Sequence, residues 1–461
     1  MPFSPASLHV QLMQLPVPRR YCVAFSGGVD SHVLLHALVQ LRDSLACSLF
    51  HAIHINHGIH PDAEQWERHC AMVCEGLGVS FEVRRVQVQR QVKHSLEATA
   101  REARYTALAE LIHPRDMLLL AHHQDDQAET LLLQLLRGSG AKGLASMPGC
   151  VAFAQGWLAR PLLVHSRDEL QAYARVHQLP WIEDPSNLDT AFDRNFLRHV
   201  ILPELRQRWP SVSMTLSRVA QHQADAAALL EDLAQQDLAN LVSTNSQILP
   251  IAPLTRLAPM RQRNVLRYWL HRRCALPLPG TVQLQRILDE VLLADEDAMP
   301  IVHWPGAEVR RYRNALYAMK PLQQFDSHWQ QQWDLRNSLM LPTGETLEVR
   351  KGEGIGLRMN ELTQGVSVRY RRGGERCRLP GREHHHELKK LLQDWSVPPW
   401  QRDRIPLLYI GNELAQVAEF CVCESFAAKP DETGLQIVLK PQAAAIETVL
   451  ENKDNRPGCT P

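Results

Sequence analysis

Two short runs in this 461-residue chain combine residue types and spacings that could do chemistry. The first is Ser26-Gly27-Gly28-Val29-Asp30-Ser31. It lies between an apolar run at 21–25 and an apolar helical pattern at 33–41, so it reads as a strand-to-helix turn. Adjacent glycines let the backbone approach an anion closely, successive N–H groups point inward, and the helix N-terminus adds a positive end. Ser26 and Ser31 supply hydroxyl donors. Asp30 is out of place beside phosphate unless a cation bridges the two, which assigns it to Mg²⁺. The second run is His122-His123-Gln124-Asp125-Asp126-Gln127-Ala128-Glu129. Asp126 and Glu129, three apart, share one helix face, where they can hold an ammonium group and later accept its proton.

Both runs need a scaffold that presents loop residues at strand ends. Strand patterns at 21–25, 49–55, 81–88 and 117–121 alternate with helical patterns at 33–41, 62–77, 96–112 and 128–137. That alternation predicts an α/β fold with a doubly wound parallel sheet, in which ligands bind beyond the carboxyl ends of the strands. His54 and His57 fall near the end of the second strand, and His122 and His123 at the end of the fourth. His51, His54, His57 and His60 recur every third residue, which on a strand scatters the rings over both faces and argues against a zinc site. Gly138-Ser139-Gly140-Ala141-Lys142-Gly143 fits a dinucleotide fingerprint but follows a helix rather than a strand, so it fails its context test. No G-x-x-x-x-G-K-[ST] run occurs, which excludes a Walker-type phosphate loop.

The composition is that of an ordinary globular protein, 45% hydrophobic and 22% charged, with room for two or three domains. No apolar run approaches the roughly 18–20 residues needed to cross a bilayer, and no basic-then-apolar leader opens the chain, so no membrane partner is expected. The ten cysteines are scattered without a C-x-x-C pair and read as reduced thiols of a cytoplasmic protein. Near residue 210 the texture changes. Helical patterns at 211–241, 261–273 and 282–293 lead through a Gln/Trp-rich stretch, 323–333, into short strand-like runs around a helix at 385–395. The domains are expected at 1–213 (catalytic), 214–325 (helical, substrate-binding) and 340–440 (small α+β, RNA-binding), with a tail at 441–461.

Ser-Gly-Gly-Val-Asp-Ser on a first β–α turn resembles the PP-loop of the N-type ATP pyrophosphatases. Further motifs narrow the likeness: His54-Ile55-Asn56-His57-Gly58, then Glu97 through Arg101, Arg104 and Tyr105, then the His122–Thr130 run, then Asp193-Arg194-Asn195 with Arg198 and Ile201-Leu202-Pro203. The ordered set resembles the tRNA(Ile)-lysidine synthetases, and the likeness extends to Arg371, Arg372, Gly374, Arg376, Lys389 and Lys390. The resemblance implies ATP and Mg²⁺ as cofactors and L-lysine and a minor isoleucine tRNA with a CAU anticodon as partners. It implies that the wobble cytidine C2 oxygen attacks the ATP α-phosphate, that pyrophosphate leaves, and that the lysine ε-amine then displaces AMP at C2 to give lysidine. In that reading Ser26–Ser31 and His54 meet ATP, while Arg101, His123, Asp126 and Glu129 serve catalysis and lysine binding. Arg101 would meet the substrate carboxylate or an ATP phosphate. A PP-loop enzyme that inserts sulfur into tRNA is the rival within the same superfamily, and it commonly uses the C-x-x-C pairs this chain lacks. An idle tRNA-binding protein is the rival of another class.

Lysine plus arginine equal aspartate plus glutamate, 50 against 50, which taken as a sum argues against a nucleic-acid partner. Distribution says otherwise. Residues 255–273 carry six arginines and no acid, and 366–404 carry ten Lys/Arg against five acids, with Tyr370, Trp395 and Trp400 interleaved. Arginine clusters with aromatic side chains suit phosphate contacts and base stacking. The residues expected to meet tRNA are Arg194, Asn195, Arg198, Arg371, Arg372, Arg376, Lys389 and Lys390. The expected assembly is a monomer or a homodimer.

Overall fold

The computed structural model describes residues 2–440 apart from 48, 59, 87–95, 242–244, 296–297 and 360–364, with backbone only at 96–98. The expected tail at 441–461 lies outside the described residues, as do the last two residues of the expected strand 81–88. The chain divides into two compact units, Met1–Leu233 and Ala234–Pro461.

The first unit is built on a six-stranded sheet in the order β3-β2-β1-β4-β6-β5. Its strands are β1 (Arg20–Ala24), β2 (Phe50–Asn56), β3 (Ser80–Arg85), β4 (Asp116–Leu119), β5 (Cys150–Phe153) and β6 (Gly156–Ala159). The first four and β6 run parallel, and β5 is an antiparallel edge that forms a hairpin with β6. That hairpin is absent from the sequence reading, because four-residue strands give too few alternations to register as a pattern. The helices are α1 (Pro5–Met13), α2 (Val29–Gln40), α3 (Ala63–Gly76), α4 (Leu96–Leu111), α5 (Gln124–Leu136), the single turn α6 (Ala141–Leu144) and α7 (Arg167–Val176).

Alternation along the central strands sorts the core. Tyr21, Val23, Met117 and Leu119 face one cluster with Leu34, Leu38 and Leu170, while Cys22, Leu118 and Leu120 face another with Leu108 and Ile112. Both faces of the sheet are therefore covered, as a parallel sheet requires. Arg20 and Asp116, opposite each other on β1 and β4, add a 2.6 Å ion pair in which the Asp116 side chain is only 2% exposed. Strand order reverses between β1 and β4, so their carboxyl ends open the crevice in which open α/β sheets bind ligands.

Helix 212–239 runs without a break across the boundary of the two units, so the change of texture near 210 marks a helix start. In the second unit, helical segments at Pro259–Tyr268 and Thr281–Arg286 each continue into a π-helical turn. The expected helices are accompanied by a four-stranded antiparallel sheet, Ile248–Pro250, Ala315–Met319, Ala307–Tyr312 and Ile301–Trp304, which the sequence reading does not contain. Leu266, Trp269, Val309 and Leu316 share its core. Beyond it lie a five-stranded and a four-stranded antiparallel sheet, with helix Leu388–Asp394 packed through Leu391 and Leu392.

Cys377 and Cys423 approach each other closely, with their Cα atoms 5.7 Å apart, a spacing at which the two thiols could be joined. The two lie 46 residues apart and are brought together by tertiary contacts that spacing cannot reveal. The other cysteines among the described residues are free.

Candidate active site

The loop after β1 is shaped by its own side chains. Gly27 has φ +81°, and a Cβ there would stand 2.9 Å from both Cys70 Sγ and Ile182 Cδ1, so conformation and space both demand glycine. Its carbonyl accepts the Ile182 N–H at 3.0 Å. At Gly28 an added Cβ would meet the Ser26 Oγ at 3.5 Å and protein backbone only at 4.0 Å, which leaves room above the loop. Ser31 Oγ donates to the Gly28 carbonyl at 2.9 Å and lies 3.1 Å from Ser26 Oγ. Helix α2 starts at Val29, four residues earlier than the apolar pattern suggests, so Asp30 and Ser31 stand in its first turn. Glycine cradle, hydroxyls and helix N-terminus together form an anion site.

His54 is buried behind this loop. Its Nδ1 lies 2.9 Å from the Phe25 carbonyl and 3.5 Å from Cys70 Sγ, and burial pushes its pKa down. The ring thus braces the strand end from which the loop departs. His51 meets Ser80 and Glu82, and His60 stacks on Trp66, so these rings have separate partners. Among the described residues no group of three or more metal-ligating side chains occurs.

Helix α5 supplies the second wall. It begins at Gln124, before the expected 128, because His123 caps it. The Asp126 N–H donates to His123 Nδ1 at 3.4 Å, and the His123 N–H donates to Asp126 Oδ2 at 3.0 Å. With Nδ1 engaged by the Asp126 N–H, the other ring nitrogen is Nε2. That atom stands 3.7 Å from Asp30 Oδ2 and 3.4 Å from Asp126 Oδ2, so His123 links the phosphate loop to the carboxylate helix. Burial raises the Asp30 pKa, an effect that His123 opposes and Asp126 reinforces. Asp30 Oδ1 is buried without a hydrogen-bond partner. An orphaned carboxylate oxygen beside an anion cradle fits a cation that arrives with a polyphosphate, since Mg²⁺ at such sites takes one or two carboxylates and completes its shell with phosphate and water.

Asp126 and Glu129 are buried, at 8% and 0% exposure. Arg198 spans them: its Nε donates to Glu129 Oε1 at 2.6 Å, and its Nη2 to Asp126 Oδ1 and Glu129 Oε2, both at 2.9 Å. Arg194 donates from Nε to Glu129 Oε2 at 2.9 Å and from Nη2 to Thr130 Oγ1 at 3.1 Å. Burial works against ionisation of Asp126, yet His123, His122, Arg194 and Arg198 outweigh it and hold its carboxyl well below the usual range. The chain therefore already places cations on the two carboxylates expected to hold an ammonium.

The residues expected to meet tRNA fall into separate groups. Arg194 and Arg198 face inward onto α5, and Asn195 donates to the carbonyls of Ser186 and Asp189 at 3.0 and 2.9 Å, bracing the loop before it. In the second unit Arg372, Arg376, Lys389 and Lys390 are exposed. Arg371 is held between Glu375 and Asp403, at 3.6 and 3.3 Å. Arg101 is exposed on α4, with its Nη2 3.4 Å from Tyr105 Oη.

Two participants were missed in the sequence reading. Asp125 accepts from Arg206, from Ser213 Oγ at 2.7 Å and from the Arg167 N–H at 2.9 Å, which ties the start of α5 to two later helices and to α7. Its doubling with Asp126 in sequence was the available signal. Arg160 is the other: it lies within electrostatic reach of His122, a ring expected at this strand end, and no local pattern marked it.

Comparison with known proteins bears on the same residues. A PP-loop domain family matches 6–205, a TilS substrate binding domain family 249–317, and a TilS substrate C-terminal domain family 366–439. A tRNA(Ile)-lysidine synthase of Coxiella burnetii is 44% identical over 441 residues, covering 95% of this chain and 97% of that protein. One of Methylococcus capsulatus is 42% identical over 420 residues, covering 90% and 95%. One of Legionella pneumophila (strain Paris) is 42% identical over 411 residues, covering 88% and 93%.

Proposed function

The chain belongs to the tRNA(Ile)-lysidine synthase family, PP-loop enzymes that modify tRNA with ATP, and from that premise we propose that it joins L-lysine to C2 of the wobble cytidine of the isoleucine tRNA with a CAU anticodon. The observation that carries this reading is the convergence of an anion cradle and a buried carboxylate pair at the ends of β1 and β4, linked through His123. A cradle alone would support nucleotide binding. A carboxylate pair beside it supports a second, cationic substrate.

In the first half-reaction the cytidine C2 oxygen attacks the α-phosphorus of ATP, and the bond to the β-phosphate oxygen breaks. Charge develops on departing pyrophosphate, which the N–H groups of the loop and the N-terminus of α2 would stabilise, while the Ser31 hydroxyl holds the loop closed through the Gly28 carbonyl. Asp30 would hold Mg²⁺, whose contribution when bound is to neutralise phosphate charge. His123 keeps Asp30 and Asp126 in register. In the second half-reaction the bound ammonium gives up a proton to the Asp126–Glu129 pair, the resulting ε-amine attacks C2, and the C2–O bond breaks to release AMP. Asp126, with its carboxyl held low, stays ionised and is suited to bind and orient the incoming ammonium. That ammonium must compete with Arg198 for the same oxygens, so Arg194 and Arg198 act first as keepers of the ionised pair and then as groups free to turn toward RNA phosphate.

The exposed cations of the second unit, Arg372, Arg376, Lys389 and Lys390, with Arg371, are assigned to tRNA, and the protein to the cytoplasm. Among the described residues no helix is long and apolar enough to cross a membrane. The test uses purified protein, ATP, Mg²⁺, isoleucine tRNA and labelled lysine. Label should enter the tRNA with release of pyrophosphate, and a failure of both with active substrates would defeat the proposal. Labelled sulfur entering instead would favour the thiolase reading.

A further inference from the structure

Two modules of the second unit, those matched over 249–317 and 366–439, meet at a seam that shares no residue with the candidate active site. Strand register builds one side of it. Tyr317 stands opposite Arg310, and Tyr312 lies two residues beyond Arg310, so the three share one face of the sheet. The other face sends Val309, Leu316 and Ala318 into the core. Alternation would leave the Arg310 face to water, yet it carries two aromatic rings, and Trp400 of the turn Pro399–Arg402 covers them. The indole stands edge-on to both, with ring centres 5.4 Å from Tyr317 and 6.2 Å from Tyr312, and the Arg310 guanidinium lies 5.2 Å from its centre. Arg402, from the same turn, donates to Tyr312 Oη at 3.1 Å and to the Val397 carbonyl at 2.9 Å.

Arg313, whose guanidinium lies 5.2 Å from the Tyr312 ring centre, reaches across the seam. Its Nη1 donates to Ser396 Oγ at 2.6 Å and its Nη2 to the Gln393 carbonyl at 2.8 Å. That carbonyl belongs to the last turn of helix Leu388–Asp394, an end that a cation favours. Both partners hold left-handed backbone, Arg313 at φ +53° and Ser396 at φ +60°, where non-glycine residues are uncommon. Strain kept on both sides of one contact points to a demand on its direction. The same helix carries the exposed Lys389 and Lys390. Arg404 adds a tie, from Nη1 to the Gln323 carbonyl at 2.8 Å, with its guanidinium 4.6 Å from the Phe325 ring centre. The two modules keep separate hydrophobic cores, one with Trp269 and Val309, the other with Leu391 and Leu408. Modules joined without a shared apolar core move relative to each other unless specific contacts hold them. Ring edges and charge-assisted hydrogen bonds do so here, and they fix direction as well as distance.

We propose that the packing of Trp400 on Tyr312 and Tyr317, with the Arg313 clasp, forms a joint that holds Lys389 and Lys390 at a set angle to the substrate-binding module, so that one tRNA meets both modules at once. This assignment rests on the tRNA reading above. Arg313 and Trp400 are positioning residues in it, and Trp400, expected from sequence among aromatics that stack on bases, is turned onto the seam. The gain is in effective concentration. Once tRNA touches one module, a firm joint makes the second contact intramolecular at the right spacing, and a loose joint forfeits part of that while removing no contact.

The experiment measures binding and turnover of isoleucine tRNA by the full-length protein for Arg313→Ala, Trp400→Ala and the double variant. Each single change should raise Kd and KM for tRNA about tenfold, with kcat at saturating tRNA unchanged. The slope of log K against log salt should stay at the parent's value, because no phosphate contact is removed. The double variant should bind little worse than either single one, since a seam already opened cannot be opened again. Arg313→Lys should restore part of the affinity. Unchanged affinity would overturn the joint. So would a shallower slope or additive losses, which would make these side chains direct RNA contacts, and so would a fall in kcat alone, the mark of a lost folded fraction. Should a variant melt below the assay temperature, Tyr312→Phe, which removes only the hydroxyl held by Arg402, reads the same quantities with a loss of about threefold. A parent protein that binds no isoleucine tRNA would defeat the reading on which the joint rests, and that result needs no variant.

Discussion

Two groups of basic residues, one in each unit, serve opposite ends. In the first unit Arg194, Arg198 and Arg206 turn inward onto Glu129, Asp126 and Asp125, carboxylates that are themselves buried. In the second, Arg372 and Arg376 are exposed, as are Lys389 and Lys390 on their helix. Both sets looked alike in sequence, as basic residues near polar neighbours. Burial separates them. An inward arginine holds a negative charge that the fold could not otherwise keep, whereas an outward one sits in water, where its attraction for phosphate is long-ranged, additive and screened by salt.

Four substitutions test that contrast. The largest effect belongs to the catalytic crevice. Asp30→Asn should lower tRNA-dependent pyrophosphate release by a factor on the order of 1,000, the scale seen when one preorganised electrostatic contact is lost. Because burial raises the Asp30 pKa, its charge is a burden on the fold, so the same variant should melt no lower than the parent. A variant that melts much lower, or that releases pyrophosphate normally, would break the assignment.

Arg198→Ala comes next. It leaves Asp126 and Glu129 buried with half of their counter-charge gone, and should destabilise the protein by roughly 3–5 kcal/mol in denaturant unfolding. The pH dependence carries a signature. The folded Asp126 carboxyl is depressed, so its pairing adds stability above the unfolded value of about 3.9 and loses it as pH falls below that toward the lower folded value. The gap between parent and variant should therefore narrow as the pH is taken below that value. A constant gap would mean that Arg198 acts through packing alone.

Replacing Arg371, Arg372 and Arg376 together with alanine should be gentler. Affinity for tRNA should fall about tenfold at moderate salt and the slope of log K against log salt should become shallower, while melting changes by less than about 1 kcal/mol. An unchanged slope would remove this patch from the interface. The smallest effect is expected of Asn195→Ala, which loses two hydrogen bonds to the carbonyls of Ser186 and Asp189 and should cost about 1 kcal/mol of stability without altering the salt slope. A salt-dependent loss of tRNA affinity would instead make Asn195 part of the RNA surface.

Much of the candidate site was legible before any coordinates. The phosphate loop announced itself because Gly27 must adopt a positive φ and Ser31 must close the turn, and both are local demands. The carboxylate helix was legible for the same reason, although its start was misplaced by four residues because histidine is an uncommon cap and its ring nitrogen does the work of a serine hydroxyl. The β5–β6 hairpin and the sheet at 248–319 were not legible, since their strands are short and their partners distant. The equality of 50 cations and 50 anions concealed the segregation described above, because a sum carries no positions.

The sequence by itself determined the alternating α/β plan, the phosphate loop, the spacing of Asp126 and Glu129, and through the order of its motifs the family. Each depends on interactions within a few residues, which leave a pattern in the chain. Only the tertiary structure decided that Arg194 and Arg198, 65 residues from Glu129 and 72 from Asp126, would close on those carboxylates rather than face solvent. Ion pairs and charge clusters of that kind have no period and no fixed spacing. Their partners are chosen by which surfaces the packing of helices on the sheet brings together, and by the cost of leaving a buried charge alone.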